Sequence, residues 1–180
     1  MRPQTTDDGA SAARPHGVAP RSLLFVTSLR GWGGGEKWML EAALAMRGRG
    51  HRVALVAQPG AAVADRARDA QLPVHILRLG GWFDPRSLLG LAGVLRHTRA
   101  EVVCANLDKE VRQTRLAAAV AGRRIKLVVR RGSPVPIKDT WHYRLVYQLG
   151  VDRLICNAAA LERTITRSAP WFDGRRIDVI

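Results

Sequence analysis

The chain has 180 residues, 47% of them apolar, and carries 29 Lys and Arg against 15 Asp and Glu, a net charge of +14. That length suits one globular unit with a full core and is too short for two domains of ordinary size. No run of about 18 apolar residues occurs, so no spanning helix is expected, and the charge implies an acidic partner such as nucleic acid, anionic lipid or a phosphorylated metabolite.

Residues 1–21 are rich in Pro, Ala and Thr, without hydrophobic periodicity or the apolar stretch of a signal peptide, and read as a disordered leader. From residue 22 onward, short β-rich apolar runs alternate with longer amphipathic stretches, the pattern of stacked βαβ units. Strands are predicted near 22–27, 52–57, 74–79, 101–105, 126–130, 152–156 and 177–180, and helices near 35–49, 85–98, 108–121, 139–149 and 158–168. The predicted fold is α/β: a Rossmann-like, doubly wound, mostly parallel sheet of about seven strands with helices on both faces.

The first strand, Leu23-Leu24-Phe25-Val26-Thr27, passes into Gly31-Trp32-Gly33-Gly34-Gly35 and then a helical pattern from Glu36. Glycines admit a ligand close to the backbone, and the free amides and positive dipole end of the helix favour an anion. A Walker loop is excluded, because Glu36 separates Gly35 from Lys37 and Trp38 stands where the magnesium-binding hydroxyl belongs. A dinucleotide fingerprint fails too: Glu36 replaces its third small residue, and the second strand ends at Ala57-Gln58 without a carboxylate for the ribose. Four glycines in five positions nevertheless exceed what a tight turn requires.

Along the rest of the chain, Asp84-Pro85 is a capping acid followed by proline at the first helical position. His97 falls in a last helical turn, a structural place for a cation. Cys104 and Cys156, 52 residues apart, each end an apolar strand pattern and read as buried hydrophobes in a reducing cytoplasm. Between Arg112 and Arg131 stand seven bases and no acid. No helix-turn-helix, stacking platform or zinc pattern accompanies them, so nucleic acid is not the expected partner.

In a doubly wound sheet, ligands bind beyond the carboxyl ends of the strands. That rule selects the glycine loop, then Asn106-Leu107-Asp108-Lys109-Glu110, then Arg130-Arg131-Gly132-Ser133-Pro134, then Asn157. Asp108 fits a helix N-cap as well as a catalytic role. The planar forks of Arg130 and Arg131 suit phosphate or carboxylate. Trp141 and His142 either line an acceptor pocket or pack.

Gly33-Gly34-Gly35-Glu36 opening a helix, Arg49-Gly50-His51-Arg52-Val53 leading into the second strand, and Val151-Asp152-Arg153-Leu154-Ile155-Cys156-Asn157 followed by Ala160 together resemble the N-terminal domain of the family 4 glycosyltransferases. These are enzymes of the GT-B fold that use nucleotide-sugar donors, and the resemblance covers about residues 22–180. Two departures stand out. Family members commonly place a histidine where Arg131 stands. Their Glu-x7-Glu pair belongs to a second, donor-binding domain, which the resemblance leads one to expect to be absent from these 180 residues, since no two of their glutamates have that spacing.

The resemblance implies an N-terminal, acceptor-side half-enzyme that transfers sugar to an anionic or lipid-linked glycan acceptor in cell-envelope polysaccharide synthesis. Anomeric configuration is retained and turnover is absent without a donor domain. The diphosphate is assigned to Gly33, Gly34, Gly35 and Glu36, and the acceptor to Asn106, Lys109, Arg130, Arg131 and Ser133. No catalytic residue is assigned, with Asp108 and His142 as the candidates; the leaving phosphate can assist deprotonation, so a dedicated base in this half is not obligatory. Neither cofactor nor metal is expected. The expected place is the cytoplasm, at the inner face of the plasma membrane, with basic helices toward the headgroups. The alternative is a non-catalytic phosphosugar or nucleotide-sugar binding module, or one subunit of a split enzyme.

Overall fold

The computed structural model describes residues 19–81 and 84–180, so residues 1–18 of the leader predicted over 1–21 lie outside the described residues, while Arg21 at its end donates to Glu101 at 2.7 Å beside the start of the sheet. The elements run β1 (Ser22–Val26), α1 (Gly34–Gly48), β2 (Arg52–Ala57), α2 (Ala62–Asp69), β3 (Val74–Ile76), α3 (Pro85–Thr98), β4 (Val102–Ala105), α4 (Asp108–Ala121), β5 (Lys126–Arg131), α5 (Trp141–Gly150), β6 (Arg153–Cys156), α6 (Ala159–Ser168) and β7 (Ile177–Val179). Their order in the sheet is β3-β2-β1-β4-β5-β6-β7, every pair parallel. The doubly wound prediction therefore holds. The chain steps outward from β1 to β3, returns to place β4 against β1, and then steps the other way, which makes the β1–β4 seam its topological switch point.

Side chains alternate across this sheet and form two cores. Phe25, Leu55 and Cys104 pack with Met39 of α1 and Val63 of α2 on one face. Leu24, Val103, Leu127 and Val129 pack with Leu91, Val111, Tyr147 and Ile165 of α3 to α6 on the other. Both cysteines are free and buried. Burial pushes the Cys104 thiol up to about 12, so it is not a nucleophile at neutral pH.

Two local readings need correction. Helix α2 was not predicted; it has eight residues, and its buried positions Val63, Ala64 and Ala67 are too small to give a strong periodic signal. Strand β3 stops at Ile76 and does not run to residue 79. Its neighbour β2 ends at Ala57, and beyond that point the Gln58 side chain takes over the pairing. Its Oε1 accepts from the Leu79 amide at 3.3 Å and its Nε2 donates to the Leu79 carbonyl at 3.1 Å.

Asp152, in the stretch that carries the family resemblance, ties three elements together. It accepts from Arg115 at 2.7 Å, Lys126 at 2.9 Å and the Leu127 amide at 2.9 Å. Burial works to raise its carboxyl, but those donors outweigh it and leave it below the usual range. The part of the resemblance that rests on Asp152 is therefore architectural.

Candidate functional site

At the carboxyl end of the switch-point seam, three loops converge on a cleft of about 220 Å³ lined by Leu29, Gly35, Glu36, Asn106, Leu107, Arg130, Gly132 and Ser133. Leu29, Gly35 and Glu36 follow β1, Asn106 and Leu107 follow β4, and Arg130 to Ser133 close β5. Leu29 and Ser133, more than a hundred positions apart, are thus brought to one place by sheet order.

Helix α1 begins with Gly33 as its N-cap in extended backbone, φ −151°. The first intrahelical bond runs from the Lys37 amide to the Gly33 carbonyl at 3.0 Å, which leaves the amides of Gly34, Gly35 and Glu36 as the helix's unpaired donors. Positive-φ glycines among the described residues are Gly50, Gly60 and Gly122, none in this loop. A methyl group on Gly31 or Gly34 would meet nothing within 4 Å. Neither backbone angle nor internal crowding requires glycine at those two positions, so close approach from outside the chain is the remaining physical demand.

The cleft floor holds buried polar atoms without partners: Glu36 Oε1, both amide atoms of Asn106 and Arg130 Nε. Glu36 is 4% exposed and Asn106 is 8% exposed. The Arg130 guanidinium lies 5.3 Å from the Trp38 ring centroid and folds back over Gly132, where a methyl group would collide with it. A methyl on Gly35 would reach Arg130 Nη1 at 3.4 Å and Asn106 Nδ2 at 3.6 Å.

Sequence reasoning selected the stretch that ends at Glu110 but gave that residue no role; it builds the cleft without lining it. Fully buried, it accepts from the Ser28 amide at 2.6 Å and Ser28 Oγ at 2.8 Å through one oxygen, and from the amides of Asn106 at 2.9 Å and Leu107 at 3.0 Å through the other. One carboxylate thus pins the β1 loop to the β4 loop. Burial pushes it above the usual carboxylate range, against the pull of its four donors. The available signal was its position: Glu110 shares a helical face with Thr114, Ala117 and Ala121, all buried, and an acid on a buried stripe is seldom idle.

Of the predicted residues, Gly35, Glu36, Asn106, Arg130 and Ser133 meet in the cleft, and Gly33 and Gly34 stand at its helix end. The others are engaged elsewhere. Lys109 Nζ donates to the Leu79 carbonyl at 3.1 Å. Arg131, 7% exposed, pairs with Asp108 at 2.9 Å and donates to the Val135 carbonyl at 3.0 Å, while the Tyr147 hydroxyl donates to the same Asp108 oxygen. Asp108 is the first residue of α4 and not its N-cap, which is Leu107. His142 sits in a separate groove between α4 and α5, near Thr140 Oγ1. Three of the seven bases in the run from Arg112 are engaged in ion pairs within the chain: Arg115 and Lys126 pair with Asp152, and Arg131 with Asp108. Among the described residues, no group of three or more His, Cys, Asp or Glu could hold a metal ion.

The sequence profile of Glycosyltransferase Family 4 matches residues 32–180. Solved structures share the architecture. Alr3699/HepE of Anabaena, in complex with UDP and glucose, superposes with a TM-score of 0.67 at 18% identity, over 89% of this chain and 44% of that one. The glycosyltransferase of Rickettsia africae ESF-5 gives 0.71 at 12% identity, over 91% and 43%. The apo form of the lipopolysaccharide outer core galactosyltransferase WaaB gives 0.65 at 10% identity, over 87% and 44%. At such identities the likeness is one of fold, and the chain spans less than half the length of each neighbour. A comparison with curated proteins finds no significant match.

Proposed function

The chain belongs to Glycosyltransferase Family 4, and from that premise we propose that it forms the acceptor-side half of an enzyme moving a sugar from a nucleotide-sugar donor to an anionic or lipid-linked glycan acceptor of the cell envelope. The observation that carries the proposal is the open N-terminus of α1 beside the switch-point cleft. The unpaired amides of Gly34, Gly35 and Glu36 take the diphosphate bridge, reinforced by the helix dipole, and the cleft next to them receives the acceptor. Asp108 and His142 stand outside that cleft, in keeping with a retaining transfer in which the leaving phosphate assists deprotonation and no side chain of this half serves as base. No metal or cofactor is assigned to it.

Since the UDP complex of HepE is a fold neighbour, UDP is the first probe. The 180 residues bind UDP weakly and release no measurable UDP from UDP-glucose when tested alone. Gly34→Val lowers UDP affinity about tenfold, near 1.4 kcal/mol, with Tm unchanged because the new side chain meets no neighbour. Robust turnover by this chain would overturn the half-enzyme reading; unchanged UDP affinity in Gly34→Val would overturn the phosphate assignment.

The acceptor's lipid is met at the cytoplasmic membrane face through α4 and α5, and there the support is apolar. Trp141 and Leu149, both 77% exposed, line with Leu116 and Leu145 a groove of about 410 Å³. Exposed apolar patches of this kind mark contact surfaces, and interfacial tryptophan suits the headgroup level. With a net charge of +14, the occupant that complements the surface is an anionic bilayer. Sedimentation with vesicles containing phosphatidylglycerol is expected to pull down the chain and to fail for Trp141→Ser/Leu149→Ser; equal binding of the two proteins would remove this face from the proposal.

A further inference from the structure

The unpartnered atoms on the cleft floor have a composition that a phosphate cannot satisfy. Glu36 Oε1 and Asn106 Oδ1 are acceptors, while Asn106 Nδ2 and Arg130 Nε are donors. An anion would meet the two donors, leave both acceptors orphaned and be repelled by the Glu36 carboxylate. A hydroxyl donates once and accepts, so two neighbouring hydroxyls can use all four atoms. Glu36 also occupies the third helical position, where a glutamate often reaches back to the N-cap amide. No such bond from Gly33 is formed among the described residues, although Glu36 Oε2 lies close enough to that glycine for a methyl there to meet it at 3.3 Å. A carboxylate oxygen left buried without a partner, as Glu36 Oε1 is, is costly for folding alone.

We propose that Glu36, Asn106 and Arg130 form a diol-binding corner that takes two adjacent hydroxyls of a neutral pyranose ring, with phosphate confined to the main-chain amides of Gly34, Gly35 and Glu36. The proposal rests on the acceptor-side reading above and divides Glu36 between two tasks: its amide faces the phosphate and its carboxylate faces the sugar. Trp38 beneath the Arg130 guanidinium holds that fork in place. The side chain of Gly35 must be absent for the ring to settle, because a methyl there would project toward both Arg130 and Asn106.

The test is a nitrogen-15 NMR titration of the 180-residue chain with methyl α-glucopyranoside, methyl β-galactopyranoside, their 3-deoxy forms, uridine and inorganic pyrophosphate. At least one pyranoside shifts the Asn106 side-chain amide, Arg130 Nε and the Gly35 amide. Its 3-deoxy form binds at least fivefold more weakly, and Glu36→Gln and Asn106→Ala each weaken the parent sugar at least fivefold. Glu36→Gln also tightens pyrophosphate, because a neutral amide replaces the carboxylate beside the anion, and it leaves the Tm of the sugar-free protein no lower; a merely structural glutamate would give a lower Tm. Competition by UDP-glucose but not UDP assigns the ring to the donor, and simultaneous binding assigns it to the acceptor; either supports the corner. Sugar binding indifferent to Glu36→Gln, or tighter binding of uridine than of both pyranosides, would overturn it. Failure of pyrophosphate to shift Gly34 and Gly35 while the pyranoside still binds would sink the diphosphate reading and leave this corner standing.

Discussion

Replacing Glu110 with alanine is expected to lower the stability of the chain by about 4 kcal/mol, because three backbone amides and one hydroxyl lose their acceptor in a fully buried place. In a protein of this size that corresponds to a fall in Tm of roughly 8–16 °C, measurable by thermal or urea unfolding. Glu110→Gln keeps the volume but turns an amide donor toward donors, so it loses about half as much. The pH dependence has a definite sign. Burial raises the folded-state carboxyl above its ordinary 4.5, so the stability this shift contributes is complete below that value and declines as the pH rises through the raised one. The gap between the native chain and Glu110→Ala is therefore wider at acid pH than at neutral pH, whereas glutamine at this position contributes no such slope. A loss under 1 kcal/mol for Glu110→Ala would show that the two loops hold their places without it.

The effect reaches function through position. Ser28 belongs to the loop that leads into the glycines, and Asn106 is the amide on the cleft floor; Glu110 sets the distance between them. With the bridge gone, the α1 amides and the diol corner no longer face a common ligand, and UDP binding by Glu110→Gln is expected to weaken even in the fraction that remains folded.

Period and turn chemistry suffice to read the scaffold from the sequence. Continuous apolar runs such as Val53–Ala57 foretell parallel strands covered on both faces, and the rule of carboxyl ends picks out the loops that line the cleft. What escaped were facts of pairing across long separations. The partners of Glu110 lie up to 82 positions away, and the length of β3 depends on the Gln58 side chain standing in for a strand. Helix α2 is short and built on alanine, so its period is faint. The two adjacent arginines are different: their fates follow from a rule available without coordinates. Neighbours in a strand face opposite sides, and β5 alternates regularly, with Leu127, Val129 and Arg131 buried and Val128 and Arg130 less so. Arg131 therefore joins the core that contains Tyr147, and Arg130 turns toward Trp38 and the cleft.

That division predicts opposite phenotypes for neighbouring residues. Arg131→Ala leaves the half-buried Asp108 carboxylate with Tyr147 as its remaining side-chain partner and is expected to cost about 3–4 kcal/mol, the usual consequence of breaking a buried pair. Removing the whole polar group in Arg131→Met/Asp108→Leu/Tyr147→Phe restores more than half of that loss, because the desolvation of both charges disappears along with their attraction. The repaired protein binds UDP and the pyranoside probes within a factor of about three of the native chain, since none of the three residues lines the cleft. Arg130→Ala does the reverse: it shifts Tm by no more than about 2 °C, the range of a change away from the packed core, and weakens the sugar probe at least fivefold. If Arg131→Ala abolished ligand binding while the triple replacement failed to recover it, Arg131 would be a ligand contact in its own right, and the buried pair would have to open when substrate arrives.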